Sequence, residues 1–246
     1  MQNLKYLILF FLVFTACKEE TLVNAESIID KTIEVSGGEK FLQVEIEFDF
    51  RDKHYKATRD HGIYQYEREF KDSTQVIRDV LNNDGFKRYI DGKVVAVADS
   101  MAVKHAASVN SVHYFALLPY GLNDAAVNKK YLGEVSIKEK NYHKVQVTFN
   151  EEGGGDDHDD VFAYWVNTET FTVDYLAYSF KEYTGDLGLR FREAYNSRTV
   201  NGLRFVDYNN FKTEDKSLQL FDLDKAFEND KLKLLSKIEL KNIIVK

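Results

Sequence analysis

Strand-length segments separated by tight turns run through almost the whole chain, and they leave room for few helices. Segments 42–51, 54–59, 62–71 and 74–81 follow one another with only short breaks. FKRYI and KVVAVA, at 86–90 and 93–98, flank Asp91-Gly92, a pair suited to a two-residue hairpin turn. Further strands are expected near 131–138, 142–150, 160–167, 171–181, 190–200 and 203–212, with SKIELKNIIV as a final strand at 236–245. Asn24 can cap a first helix carrying Ile28, Ile29, Thr32, Ile33 and Val35 on one side and ending at Gly37-Gly38. Ser100 opens a second helical stretch over 101–118, closed by Pro119 and Gly121, and a short helical or irregular piece is expected around 222–230. A βα barrel needs eight helices, far more than these. The expected class is therefore mainly β (α+β). Its form is a large curved antiparallel sheet or unclosed half-barrel, with a few helices covering the concave face.

The first residues have a different character. Lys5 and the amino terminus precede the apolar run YLILFFLVF, which is about half the length a helix needs to cross a bilayer. Small Thr15 and Ala16 follow, so residues 1–16 read as a removable export signal. Phe14-Thr15-Ala16-Cys17 resembles a bacterial lipobox, with Phe14 where leucine is usual. Cys17, the only cysteine, would then be the lipidated first residue, and several acyl chains on one residue anchor stably. Lys18, Glu19 and Glu20 resemble the export signal of surface-displayed lipoproteins. Residues 17–23 become a tether and 24–246 a single domain, placed in the cell envelope at the outer membrane, facing outward.

Charge excludes one class of partner. With 33 basic and 40 acidic residues the chain has a net charge of −7, which argues against binding nucleic acid through bulk charge. No G-x-S-x-G elbow, H-E-x-x-H, Gly-rich phosphate loop or C-x-x-C occurs. The densest polar run is EEGGGDDHDD, 151–160. Asp156, Asp157, His158, Asp159 and Asp160 suit a hard cation such as calcium, or they form a solvated loop between strands. No other cofactor is expected. His105 and His113, eight apart, are poorly aligned on a helix for a metal pair.

Asn201-Gly202 supports a geometric expectation. A two-residue turn pairs Val200 with Leu203, Arg198 with Phe205 and Asn196 with Asp207. Period two then gathers Arg190, Arg192, Asn196, Arg198, Phe205 and Asp207 on one face, with Tyr195 and Tyr208 paired on the other. The face can grip a carboxylate or phosphate, or be a solvent surface tied by Arg–Asp contacts. FTVDYLAYSF is apolar on both sides, as a strand covered on both faces would be, or as one wall of a cavity. Trp165, Tyr175 and Tyr178 are the candidate aromatic liners.

The runs DDVFAYWVNTETFTVDYLAYSF and LRFREAYNSRTVNGLRFVDYNNF, with the opening SIIDKTIEVSGGEKF, resemble a family of uncharacterised Bacteroidota lipoproteins. Those in turn resemble the LolA/LolB and LppX carriers and receptors. That resemblance implies an unclosed half-barrel whose helices plug an apolar concavity. It implies a membrane-tethered protein holding an acyl chain or other hydrophobic ligand, in envelope lipid or lipoprotein traffic. Two alternatives stay open: an enzyme using the same cavity on a small molecule, with a cation at the acidic loop, and a structural accessory of an outer-membrane complex.

Overall fold

Turn chemistry lays out the strands. In the computed structural model, which describes residues 23–153, 158–181, 185 and 187–246, Asp91 and Gly92 both have positive φ, as do Asn201 and Gly202. That combination is the tight turn that matches strand twist. Between such turns run β1 (Gln43–Phe50), β2 (Lys53–Asp60), β3 (Ile63–Asp72), β4 (Gln75–Asn82), β5 (Gly85–Ile90) and β6 (Lys93–Val95). The second half holds β7 (Val127–Ile137), β8 (Lys140–Phe149), β9 (Val161–Asn167), β10 (Val173–Lys181), β11 (Leu187–Val200) and β12 (Leu203–Lys212). Three α-helices accompany them among the described residues: α1 (Ala25–Ser36), α2 (Asp99–Ala116) and α3 (Leu223–Glu228).

The expected last strand is two strands. β13 (Lys233–Ile238) and β14 (Leu240–Val245) are separated only by Glu239, and they belong to different sheets. One sheet has the order β14-β1-β2-β3-β4-β5-β6, the other β13-β12-β11-β10-β9-β8-β7. All neighbours are antiparallel and both sheets are open. The result is the expected mainly-β unclosed half-barrel, with the change of sheet at Glu239 as its seam.

Helix α1 starts where its cap dictates. Asn24 Oδ1 accepts from the Ser27 amide at 2.8 Å, completing a capping box, and Ile28, Ile29 and Thr32 turn inward. Gly37 ends it with φ 146°, and a Cβ there would collide with the Leu203 side chain.

Two cores follow from strand alternation. The larger lies between the concave faces of both sheets, α1 and the second half of α2, around Phe48, Tyr55, Phe115, Tyr164, Leu176 and Tyr208. The smaller lies on the outer face of the second sheet, where Leu220 and the α3 residue Phe227 cover Trp165, Tyr175 and Phe191. The second sheet is thus apolar on both faces, which is why β10 shows no polar side.

Candidate functional site

Helix α2 lies across the concavity and is tied to the first sheet at two points. Arg68 on β3 donates to Ser108 Oγ at 2.7 Å, and His113 Nε2 donates to the Glu67 carbonyl at 3.1 Å. Arg68 is itself held by Asp79, a fully buried acid that also takes Arg88 at 2.7 Å. Burial alone would raise the Asp79 carboxyl, but Arg88 and Arg68 together outweigh it and hold it below the ordinary range. His113 is completely buried between Tyr66, stacked at 4.5 Å, and the edges of Phe48 and Tyr55. Burial pushes its ring down to about 4, so it is a neutral packing group.

Beneath α2, against the second sheet, the concavity is not packed solid. A cavity of about 530 Å³ lies there, within the size of small-molecule sites. Its walls are chiefly aromatic and aliphatic: Tyr114, Phe115, Phe149, Phe162, Leu176 and Tyr178. Phe162 stacks on Tyr178 at 5.4 Å and meets Phe149 edge-on at 5.8 Å. The Tyr114 and Tyr164 hydroxyls pair at 2.6 Å, and burial pushes both phenols up, so this wall stays neutral.

A guanidinium interrupts the apolar wall. Arg192 projects from β11, donates to the Tyr178 hydroxyl at 3.1 Å, and has its guanidinium 5.0 Å from the Phe115 ring. Among the described residues no carboxylate lies within ion-pair distance of it, and its buried Nε has no hydrogen-bond partner. At the mouth, Asp159 pairs with Lys181 at 3.2 Å, and Asp160 also borders the opening.

The other expected liners divide. Tyr178 lines the cavity, but Trp165 and Tyr175 point to the opposite face, into the core under α3. Strand parity is the reason: 176 and 178 face the concavity, so 175 and 177 cannot. There Trp165 Nε1 donates to Asp224 at 3.0 Å, and Lys144 pairs with the same buried carboxylate at 2.8 Å.

The expected single face of arginines is also corrected. Val200–Leu203 and Arg198–Phe205 pair as expected, but Asp207 faces Tyr195 and Tyr208 faces Ala194. A bulge between Tyr195 and Arg198, with Asn196 at φ 49°, inserts one residue and reverses the alternation. Arg190 and Arg192 keep the concave parity, and Arg190 stacks over Phe180 at 4.8 Å. Arg198 and Asp207 take the other, and Phe205 packs in the larger core. Asp207 accepts from Arg198 at 2.9 Å, Asn196 at 2.6 Å and the Leu240 amide at 3.0 Å, fastening β14 beside β12. Asp207→Ala strands that buried amide and is expected to cost about 2 kcal/mol in urea unfolding, without loss at the cavity.

A family model described as "Family of unknown function (DUF6503)" matches residues 4–240. The chain belongs to that family. No curated protein matches it. Among solved structures, this DUF6503 chain is similar to a LolA superfamily protein from Nitrosomonas europaea, with 12% identity, 90% of this chain and 93% of that chain covered, and a TM-score of 0.49. A DUF1329 family protein from Desulfovibrio piger has 6% identity over 89% and 92% of the chains, with a TM-score of 0.39. A putative outer membrane lipoprotein-sorting protein domain from Vibrio parahaemolyticus has 9% identity over 81% and 99%, with a TM-score of 0.38.

In the DUF6503 chain, Cys17, Lys18, Glu19, Glu20, Asp156 and Asp157 lie outside the described residues. Among the described residues, no group of three or more His, Cys, Asp or Glu is placed to hold a metal ion, and no helix is long and apolar enough to cross a membrane. His158 approaches Asp159 at 3.6 Å. The Arg68–Asp79–Arg88 row and buried His113 were not singled out from sequence as site elements. The row has a legible signal, because short hairpins put these residues opposite one another on β3, β4 and β5.

Proposed function

We propose that this protein is a lipid-anchored envelope protein that holds an acyl chain or similar hydrophobic ligand in the cavity beneath α2. The carrying observation is the 530 Å³ space walled by aromatic side chains at the centre of a fold that otherwise packs both faces of its second sheet. Unfilled apolar walls forgo dispersion contacts, and a chain entering them leaves water. Arg192 gives the ligand an orientation, since a cation on a largely apolar wall favours an anionic end nearby. The envelope assignment rests on the N-terminal apolar run and the motif ending at Cys17, with anchoring at the outer membrane through Cys17 and export addressed by Lys18, Glu19 and Glu20. The role that follows is reception or transfer of lipid or lipoprotein chains at that membrane.

Titration of purified protein with a fluorescent fatty acid tests the binding, together with native mass spectrometry for co-purified lipid. Ser111 is exposed on α2 at the cavity rim. Ser111→Trp, which puts an indole there, is expected to weaken the probe at least tenfold while leaving the thermal midpoint within a degree or two. Absence of both probe binding and co-purified lipid in the wild type would remove the basis of the reading.

A further inference from the structure

Arg192 borders a second space as well. A cavity of about 350 Å³ shares Ser111, Phe115 and Arg192 with the aromatic one, but its other walls differ in chemistry. Arg51 and Lys53 from the β1–β2 turn region, Arg68 from β3, and Asn210 and Ser236 from β12 and β13 line it, with Asp52 as its acid. Asp52 is matched by Lys53 at 3.0 Å, and Arg68 is matched by Asp79. Arg51 and Arg192 have no carboxylate within ion-pair distance among the described residues. Arg192 stands where the two spaces meet, and Arg51 lies on the smaller one.

Two residues lining this cavity also carry a buried polar atom that lacks a partner: Arg192 Nε, a donor, and Asn210 Oδ1, an acceptor. They lie directly opposite one another on β11 and β12. Asn210 uses its amide nitrogen on Ser236 Oγ at 3.2 Å, which leaves its oxygen without a donor. Unsatisfied buried groups are uncommon in folded proteins, and a donor–acceptor pair of them in one basic cavity fits a ligand that both accepts and donates.

We infer that this cavity is a head-group site for an anionic amphiphile bearing a phosphate-type group and a hydroxyl or amine donor. The phosphate oxygens meet Arg192 and Arg51, the donor meets Asn210 Oδ1, and the tail runs past Phe115 into the aromatic cavity. This rests on the acyl-binding reading and adds the chemistry of the head.

The test compares three probes below their micelle concentrations by calorimetry on purified protein: lauroyl lysophosphatidylglycerol, uncharged monolaurin and inorganic phosphate. The expected order is lysophosphatidylglycerol at least tenfold tighter than monolaurin, with phosphate alone weakest and the charged probe weakening as salt rises. Arg192→Gln and Arg51→Gln should each remove most of the advantage over monolaurin. Arg51 is exposed at the rim, so its replacement reads out the head site even if Arg192→Gln unfolds. Equal affinity for the two lauroyl probes overturns the head-group site and leaves acyl binding standing. Phosphate binding as tightly as the lysolipid overturns the amphiphile assignment in favour of a free-anion site. Failure of both lauroyl probes overturns the head-group site and the acyl reading together.

Discussion

Asp79→Ala is expected to lower folding stability by about 3–5 kcal/mol, the usual cost of leaving buried charge unpaired. Asp79 is fully buried and accepts from Arg68 at 2.6 Å and from Arg88 at 2.7 Å, so its removal leaves two guanidinium groups facing each other. Asp79→Asn retains the volume and is expected to be nearly as damaging, because the charge rather than the packing is lost. The harm extends to α2, since Arg68 is also the donor to Ser108. Amide exchange in α2 should therefore accelerate more than in the outer core under α3. A urea midpoint shift worth less than about 1 kcal/mol would show that the arginines find solvent instead. As a carboxyl held below its ordinary pKa, Asp79 contributes stability that is present above the unfolded carboxylate value and is lost as pH falls through the folded one.

The second large effect is a loss of stability in mild acid from His113. Burial, the main cause, pushes the folded ring down to about 4 from 6.5, while the Glu67 carbonyl opposes this weakly. Above pH 6.5 neither folded nor unfolded chain binds the proton, and the residue contributes no pH dependence. Between pH 6.5 and 4 only the unfolded chain protonates, so stability falls with pH, by about 3 kcal/mol once both forms are protonated. Thermal midpoints measured from pH 7.5 to 4.5 should decline along that course in the wild type. His113→Phe gives up the bond to Glu67 and starts lower, yet its decline should be visibly shallower. An unchanged slope would assign the acid sensitivity to carboxylates instead.

Local rules carried much of the architecture. Asn24 caps α1 as its side chain suggests, Asp91-Gly92 and Asn201-Gly202 make the tight turns, and alternation places most strands within a few residues of their observed limits. What stayed hidden depends on a choice made by distant parts of the chain. The bulge near Asn196 is one inserted residue, yet it moves Arg198 and Asp207 off the face of Arg192. Nothing in SKIELKNIIV marks Glu239 as a change of sheet, because both halves read equally well as strand. Tyr175 reads as a cavity liner because β10 is apolar on both sides, and only the docking of α3 over Tyr175 and over Trp165 on β9 tells the two sides apart. The cavity was legible as an aromatic concavity, with Tyr178 and Arg192 on it. Its basic neighbour was not, because Arg51, Asn210 and Ser236 are far apart in sequence.

The seam at Glu239 also bears on the order in which the fold can assemble. β1 finds its second neighbour only in β14, where Ile46 lies opposite Val245 and the Glu45 and Lys246 backbones exchange hydrogen bonds. The hairpins of each half can form early from nearby residues, but joining the halves must wait for a loop closure spanning most of the chain. Such distant pairings slow folding. The concavity is therefore among the last features to appear, and a nascent chain presents its aromatic walls open until that final strand arrives.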